Sequence, residues 1–245
     1  MRILFQEVQE NQTITVYDTN ELYGEKGSFR VLEFANEAIQ GAMDLNDPER
    51  IVFEYPRAII HLMQCIDRAF EDVFVIGQGI GAIPGHFSGK RFKVAEINET
   101  VVQLSRRYFG YNLDNIEIGD GRQILLQEAQ QAYDYIILDA FTEQGTPPQL
   151  ISREFFELSR DKLDSDGSLI MNLFGKGEND KLIQAIHTTL SQVYAYTHTF
   201  LLPSGKSSDI KNMIMIGSSL PIQFQGRHMA GFKEVELSSG YIITD

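Results

Sequence analysis

Three carboxylates stand at the ends of apolar runs. Glu96 closes Phe92-Lys-Val-Ala-Glu-Ile97, Asp120 follows Ile118-Gly119, and Asp139 ends Tyr135-Ile-Ile-Leu138. Packing explains an acid poorly at the end of a wholly apolar strand, because a buried carboxylate is costly unless paired or hydrogen-bonded. Asp139 is therefore read as a residue that orients a substrate or takes its proton. A fourth run, Val73-Phe-Val-Ile-Gly-Gln-Gly-Ile-Gly81, ends in glycines at 77, 79 and 81. Such a turn tolerates positive φ and lets a ligand approach the backbone, as phosphate- and nucleotide-handling turns require. Glu96 lies 19 residues after Gly77, the spacing at which an acid meets a ribose diol. Asp120 is read at a nucleotide base, with helix capping as its alternative. No His or Cys cluster accompanies these acids, so no metal is expected. His61 is read as a helix-surface or core histidine.

The elements that position these residues follow from periodicity. From Val73 onward, strands are expected at 73–77, 92–97, around 115–118, 133–139 and 168–174. Between them lie a short helix after Gly81 and helices at about 98–109, 121–131, 151–163 and 179–192, with Asn98, Asp120, Ser152 and Asn179 as N-caps. This alternation predicts an α/β fold, a doubly wound and mostly parallel sheet. All three acids and the glycine turn then fall beyond the carboxyl ends of strands, where ligands bind in such sheets. Two further β-like runs, Tyr194–Leu202 and Met213–Gly217, suit an antiparallel closing pair, and Tyr241–Asp245 a last edge strand. A helix is expected from Ile51 to Phe70, with Pro56 in its first turns. Residues 1–50 hold short β-branched and aromatic runs, Ile3–Phe5, Thr13–Tyr17 and Phe29–Phe34, and predict a small antiparallel sheet. The domains are thus drawn at 1–50 and 51–245.

The 245 residues carry a net charge of −13, which argues against nucleic acid as a partner and is compatible with a cationic small substrate. No apolar run is long enough to span a membrane. The single Cys65, read as a small buried hydrophobe, and the lack of a signal-peptide pattern at Met1-Arg-Ile-Leu-Phe5 point to the cytoplasm.

These motifs resemble those of the spermidine synthase (polyamine aminopropyltransferase) family, a branch of the class I methyltransferase fold. The matching stretches are Glu54-Tyr-Pro-Arg57, Val75-Ile-Gly-Gln-Gly-Ile-Gly81, Val94-Ala-Glu-Ile-Asn98, Gly119-Asp-Gly-Arg122 and Tyr133-Asp-Tyr-Ile-Ile-Leu-Asp-Ala-Phe141. The resemblance implies a seven-stranded Rossmann-like methyltransferase sheet with a small N-terminal β-sheet. It implies transfer of an aminopropyl group from an S-adenosyl sulfonium nucleotide to a small amine, in a homodimer. Glu96 would hold the ribose, Asp120 and Gly121 the adenine, and Gly77, Gln78 and Gly79 the sulfonium portion, with Asp139 as the base. Tyr55, and more weakly Gln12 and Gln40, would line the amine pocket, with Thr142 and Glu143 beside it. Three departures stand out: Ile80, Thr142 and Arg57 occupy places where the family carries acids. They leave open whether the donor is decarboxylated or intact S-adenosylmethionine. The alternative is an S-adenosylmethionine-dependent methyltransferase of a small molecule.

Overall fold

A computed structural model describes the chain except residues 10, 11, 35–37, 143, 144 and 204–208, and except the side chains at 9, 12 and 38. Four strands, β1 (Arg2–Gln9), β2 (Gln12–Leu22), β3 (Glu25–Phe34) and β4 (Ala38–Asp44), form an antiparallel sheet in simple order. The expected break over Asn20–Gly27 shrinks to two residues, Tyr23 and Gly24, both at positive φ (48° and 83°). That geometry matches the twist of a tight hairpin, so the strands run on to Leu22 and restart at Glu25.

Helix α1 (Glu54–Ile66) follows, then β5 (Asp72–Ile76), α2 (Ala82–His86), β6 (Arg91–Glu96), α3 (Glu99–Phe109), β7 (Ile116–Ile118), α4 (Gly121–Gln127), β8 (Tyr133–Leu138), α5 (Arg153–Lys162), β9 (Leu163–Gly175), α6 (Lys181–Leu190), β10 (Tyr196–Leu201), β11 (Lys211–Ser218) and β12 (Lys233–Glu234). The second sheet has the order β12-β10-β11-β9-β8-β5-β6-β7. Pairs from β7 to β9 are parallel, and β11 enters antiparallel between β9 and β10. This is the predicted α/β architecture, with the two-residue β12 as an eighth, edge strand.

The central strand explains why the sheet is covered on both faces. Phe74 and Ile76 belong with Ile136, Leu138, Ile124, Phe155 and Ile183, so one face packs on α4, α5 and α6. Val73 and Val75 belong with Tyr135, Ile137, Ile59 and Met63, so the other face packs on α1. A period of two splits one apolar run between two cores. The N-terminal sheet does not stand apart, because Ile14, Val16 and Leu32 share a cluster with Val101, Leu104 and Phe109 of α3.

The helix expected at 121–131 ends at Gln127 and the strand expected at 168–174 begins at Leu163; three further departures have a visible cause. The first helix stops at Ile66 rather than Phe70, because the Asp67 amide donates to the Tyr135 hydroxyl and Tyr135 donates to the Met63 carbonyl, closing the helix end. The N-cap of α6 is Asp180, not Asn179; its Oδ1 accepts from the Leu182 and Ile183 amides. Tyr241–Asp245 forms no strand. The Gly240 and Ile243 amides are taken by the Thr188 and Thr189 hydroxyls, so the tail lies along α6 while Lys233 and Glu234 take the sheet edge.

Candidate active site

The site lies where β5, β6, β8 and β9 end. After Ile76 the chain turns through Gly77, Gly79 and Gly81, all at positive φ (99°, 51° and 79°). At Gly77 the requirement is absolute: a Cβ there would sit 2.2 Å from the backbone oxygen of Asp139. The turn and the catalytic candidate are in backbone contact for that reason. At Gly79 a Cβ would meet only the Gln40 carbonyl, at 3.5 Å, so β4 of the N-terminal sheet overhangs the turn.

Glu96 is buried, and both of its oxygens are engaged. Oε2 accepts from the Gln78 amide at 2.7 Å and Oε1 from the Asn98 amide at 2.8 Å. Burial raises its pKa, opposed by the amides of Asn98, Gln78 and Ile97. One carboxylate thus ties the glycine turn to the start of α3. Gln78 does not face outward, since its amide nitrogen donates to Ser105 Oγ at 3.3 Å beneath the turn. Asp120 caps α4 by accepting from the Gln123 amide at 2.9 Å, so the capping alternative holds in its own right. Gly121 packs where a Cβ would come within 2.5 Å of Ile76. Ile97 and Ile118, exposed beside Glu96 and Asp120, give this edge an apolar rim.

Asp139 is held from two sides. Tyr55 Oη on α1 donates to Oδ2 at 3.1 Å, and Asn172 Nδ2 on β9 donates to Oδ1 at 2.8 Å. Desolvation raises the Asp139 pKa, and the Asn172 and Tyr55 bonds pull it back. Tyr55 stays protonated, its pKa pushed far up by burial and by the Asp139 charge. Such a carboxylate is oriented and more basic than one in water. Behind it, Asn212 Nδ2 on β11 donates to Asn172 Oδ1 at 2.7 Å.

The structure therefore brings together Tyr55, Gly77, Glu96 and Asp139, with the Gln40 backbone across from Gly79. Thr142 closes a short turn instead, its Oγ1 donating to the Gly145 carbonyl at 2.9 Å. Glu143 lies outside the described residues, as does the side chain of Gln12. Ile80 packs on Gly41 of β4, where a Cβ would meet it at 2.6 Å, so it joins the two sheets rather than facing a ligand alone. Among the described residues no group of three or more His, Cys, Asp or Glu is placed to hold a metal. No helix among them is long and apolar enough to cross a membrane. Asn172 is recognisable in sequence as a strand end, but its bond to Asp139 is not. Asn212 is missed altogether; its one signal is a polar residue opening the apolar run Met213–Ile216.

The family model for the spermine/spermidine synthase domain matches residues 52–220. A polyamine aminopropyltransferase of Vibrio vulnificus is 27% identical over 231 residues, covering 86% of this chain and 75% of that protein. A probable spermidine synthase from Corynebacterium glutamicum superposes with a TM-score of 0.76 at 20% identity, covering 91% of this chain and 82% of that one. A spermidine synthase in complex with the transition-state analogue AdoDATO superposes with a TM-score of 0.69 at 18% identity, covering 97% and 82%. The last two likenesses establish the fold.

Proposed function

Because the chain belongs to the spermine/spermidine synthase domain family, we propose that it transfers the aminopropyl group of decarboxylated S-adenosylmethionine to a small amine. The observation that carries the reading is the Asp139 carboxylate, held by Tyr55 and Asn172 on a residue whose backbone carbonyl lies against the glycine turn. The donor fits the residues present. Gly79 puts no side chain between the turn and a ligand, Glu96 and Asp120 would take the ribose and the adenine, and the exposed Ile97 and Ile118 would offer apolar contact to the base.

A free amine has a pKa near 10 and is an ammonium in neutral water. Asp139 would hold it and accept its proton. The nitrogen lone pair then attacks the carbon bonded to the sulfonium. A C–N bond forms, the C–S bond breaks, and its electron pair returns to sulfur, leaving a neutral thioether nucleoside. The leaving group is supplied by the donor, so the protein's part is alignment and proton acceptance. Tyr55 and Asn172 fix where Asp139 points, and Tyr55, protonated throughout, adds no second base.

One observation favours methyl transfer as a second reading. Ile80 presents an apolar side chain on Gly41 at the turn, where the carboxylate of intact S-adenosylmethionine would meet no negative charge from that residue. Isothermal calorimetry decides between them: tighter binding of decarboxylated than of intact S-adenosylmethionine supports aminopropyl transfer, and the reverse order refutes it. A cytoplasmic location and a homodimer complete the reading. The dimer would have a surface available in β1, an outer strand of its sheet, with Ile3 and Val8 exposed. Light scattering at the mass of one chain would refute the dimer.

A further inference from the structure

The side chains behind Asp139 form a relay that ends on a residue no motif points to. Asn172 donates to Asp139 Oδ1, and Asn212 donates to Asn172 Oδ1. The two asparagines are diagonal neighbours on one face of the antiparallel β9–β11 pair, since Asn172 pairs with Ile214 and Asn212 with Phe174. A side-chain amide has a donor end and an acceptor end, and half a turn exchanges them. An ionised carboxylate only accepts. Asn172 therefore supports an ionised Asp139 only with its NH2 toward it; the reversed amide sets two acceptor oxygens against each other.

We propose that Asn212 is a positioning residue for the proton-accepting carboxylate: by donating to Asn172 Oδ1 it fixes the Asn172 amide in the orientation that offers Asp139 a donor. This rests on the reading of Asp139 as the base. Among the described residues, the titratable groups coupled to Asp139 are Tyr55 of α1, which donates to its second oxygen, and Glu96 of β6, whose pKa the Asp139 charge helps to raise. Neither bonds to the Asn172 side-chain amide, so a change at 212 addresses the relay separately from them.

The test follows the Asp139 carboxyl carbon by 13C NMR titration, assigned by its loss in Asp139→Asn, alongside the pH–rate profile of transfer. In Asn212→Leu, which removes the donor without adding charge, the Asp139 midpoint moves up by about one pH unit, a tenfold change in proton affinity. The acid limb of the rate profile moves with it. In Asn212→Asp, whose carboxylate only accepts and so favours the reversed amide, the shift is at least as large. An unchanged midpoint in Asn212→Leu overturns the proposal, whether or not the variant melts earlier. A shift in Asn212→Asp alone also overturns it, because that is charge acting through space. Asn212→Ala is read in place of Asn212→Leu if the latter does not fold. The NMR titration needs no turnover. A wild-type protein that transfers nothing while its Asn212 variants shift Asp139 refutes the proposed reaction and leaves the relay standing.

Discussion

At the scale of single residues, the site is a carboxylate held by two donors in a place that disfavours charge. Burial raises the pKa of Asp139, and two donors offset part of that rise. Removing one donor should therefore show as pH dependence before it shows as lost folding. In Tyr55→Phe the acid limb of the pH–rate profile moves to higher pH, by about half to one unit, because the neutral acid persists further up the scale. A profile superimposable on wild type would assign Tyr55 to packing. The acids themselves are legible in the sequence, since Glu96, Asp120 and Asp139 each end a strand whose apolar residues predict its course. What holds them is not legible. Tyr55 and Asp139 are 84 positions apart, Asn172 and Asp139 33, and Asn172 and Asn212 40. Their meeting depends on strand order and register, which no local pattern carries.

At the scale of elements, the glycine turn and the α4–α5 edge make separate predictions. Gly77 combines a φ of 99° with a Cβ position 2.2 Å from the Asp139 carbonyl. Gly77→Ala should cost at least ~1–3 kcal/mol in strain and displace the Asp139 backbone. Thermal melting measures the first effect, and a transfer rate reduced by about tenfold or more in the protein that remains folded measures the second. At the other edge, Arg122 of α4 donates to the Gln149 carbonyl at 3.0 Å and grips Asp245, which also accepts from Ser152 at 2.6 Å. Arg122 pulls the Asp245 carboxyl down to about 2. A depressed carboxylate stabilises above its unfolded pKa and stops doing so as pH falls through its folded one. The melting temperature of wild type should thus exceed that of Asp245→Asn at pH 7, with the gap closing between about pH 4 and pH 2. The gap is small because Asp245 is exposed; a gap constant with pH would contradict the pairing. Sequence periodicity predicts an edge strand for this tail. It cannot foresee that Thr188 and Thr189 of α6 take up the tail amides.

At the scale of the whole molecule, the two sheets are packed together through α3. Leu104 is buried in the cluster it shares with Ile14, Val16 and Leu32, and Arg30 and Tyr108 bond across the same seam. We propose that the division at residue 50 separates two sheets but not two folding units. Leu104→Ala, destabilising by ~2–5 kcal/mol, should then lower a single calorimetric transition, and two resolved transitions would contradict it. The α/β core is legible because its strand and helix periods are local. The seam is not, because which face of α3 meets the N-terminal sheet is settled only by packing. The proposed site also belongs to this scale, since the turn, Asp139 and the overhanging β4 come from separate parts of the chain. The most direct test of the account is single-turnover mass spectrometry with decarboxylated S-adenosylmethionine and a diamine, comparing wild type with Asp139→Asn. The account predicts that wild type yields the thioether nucleoside and the aminopropylated amine in equal amounts. It predicts that Asp139→Asn, folded and still binding the nucleotide, is slower by about 10²–10⁴-fold. Equal rates for the two proteins would contradict it.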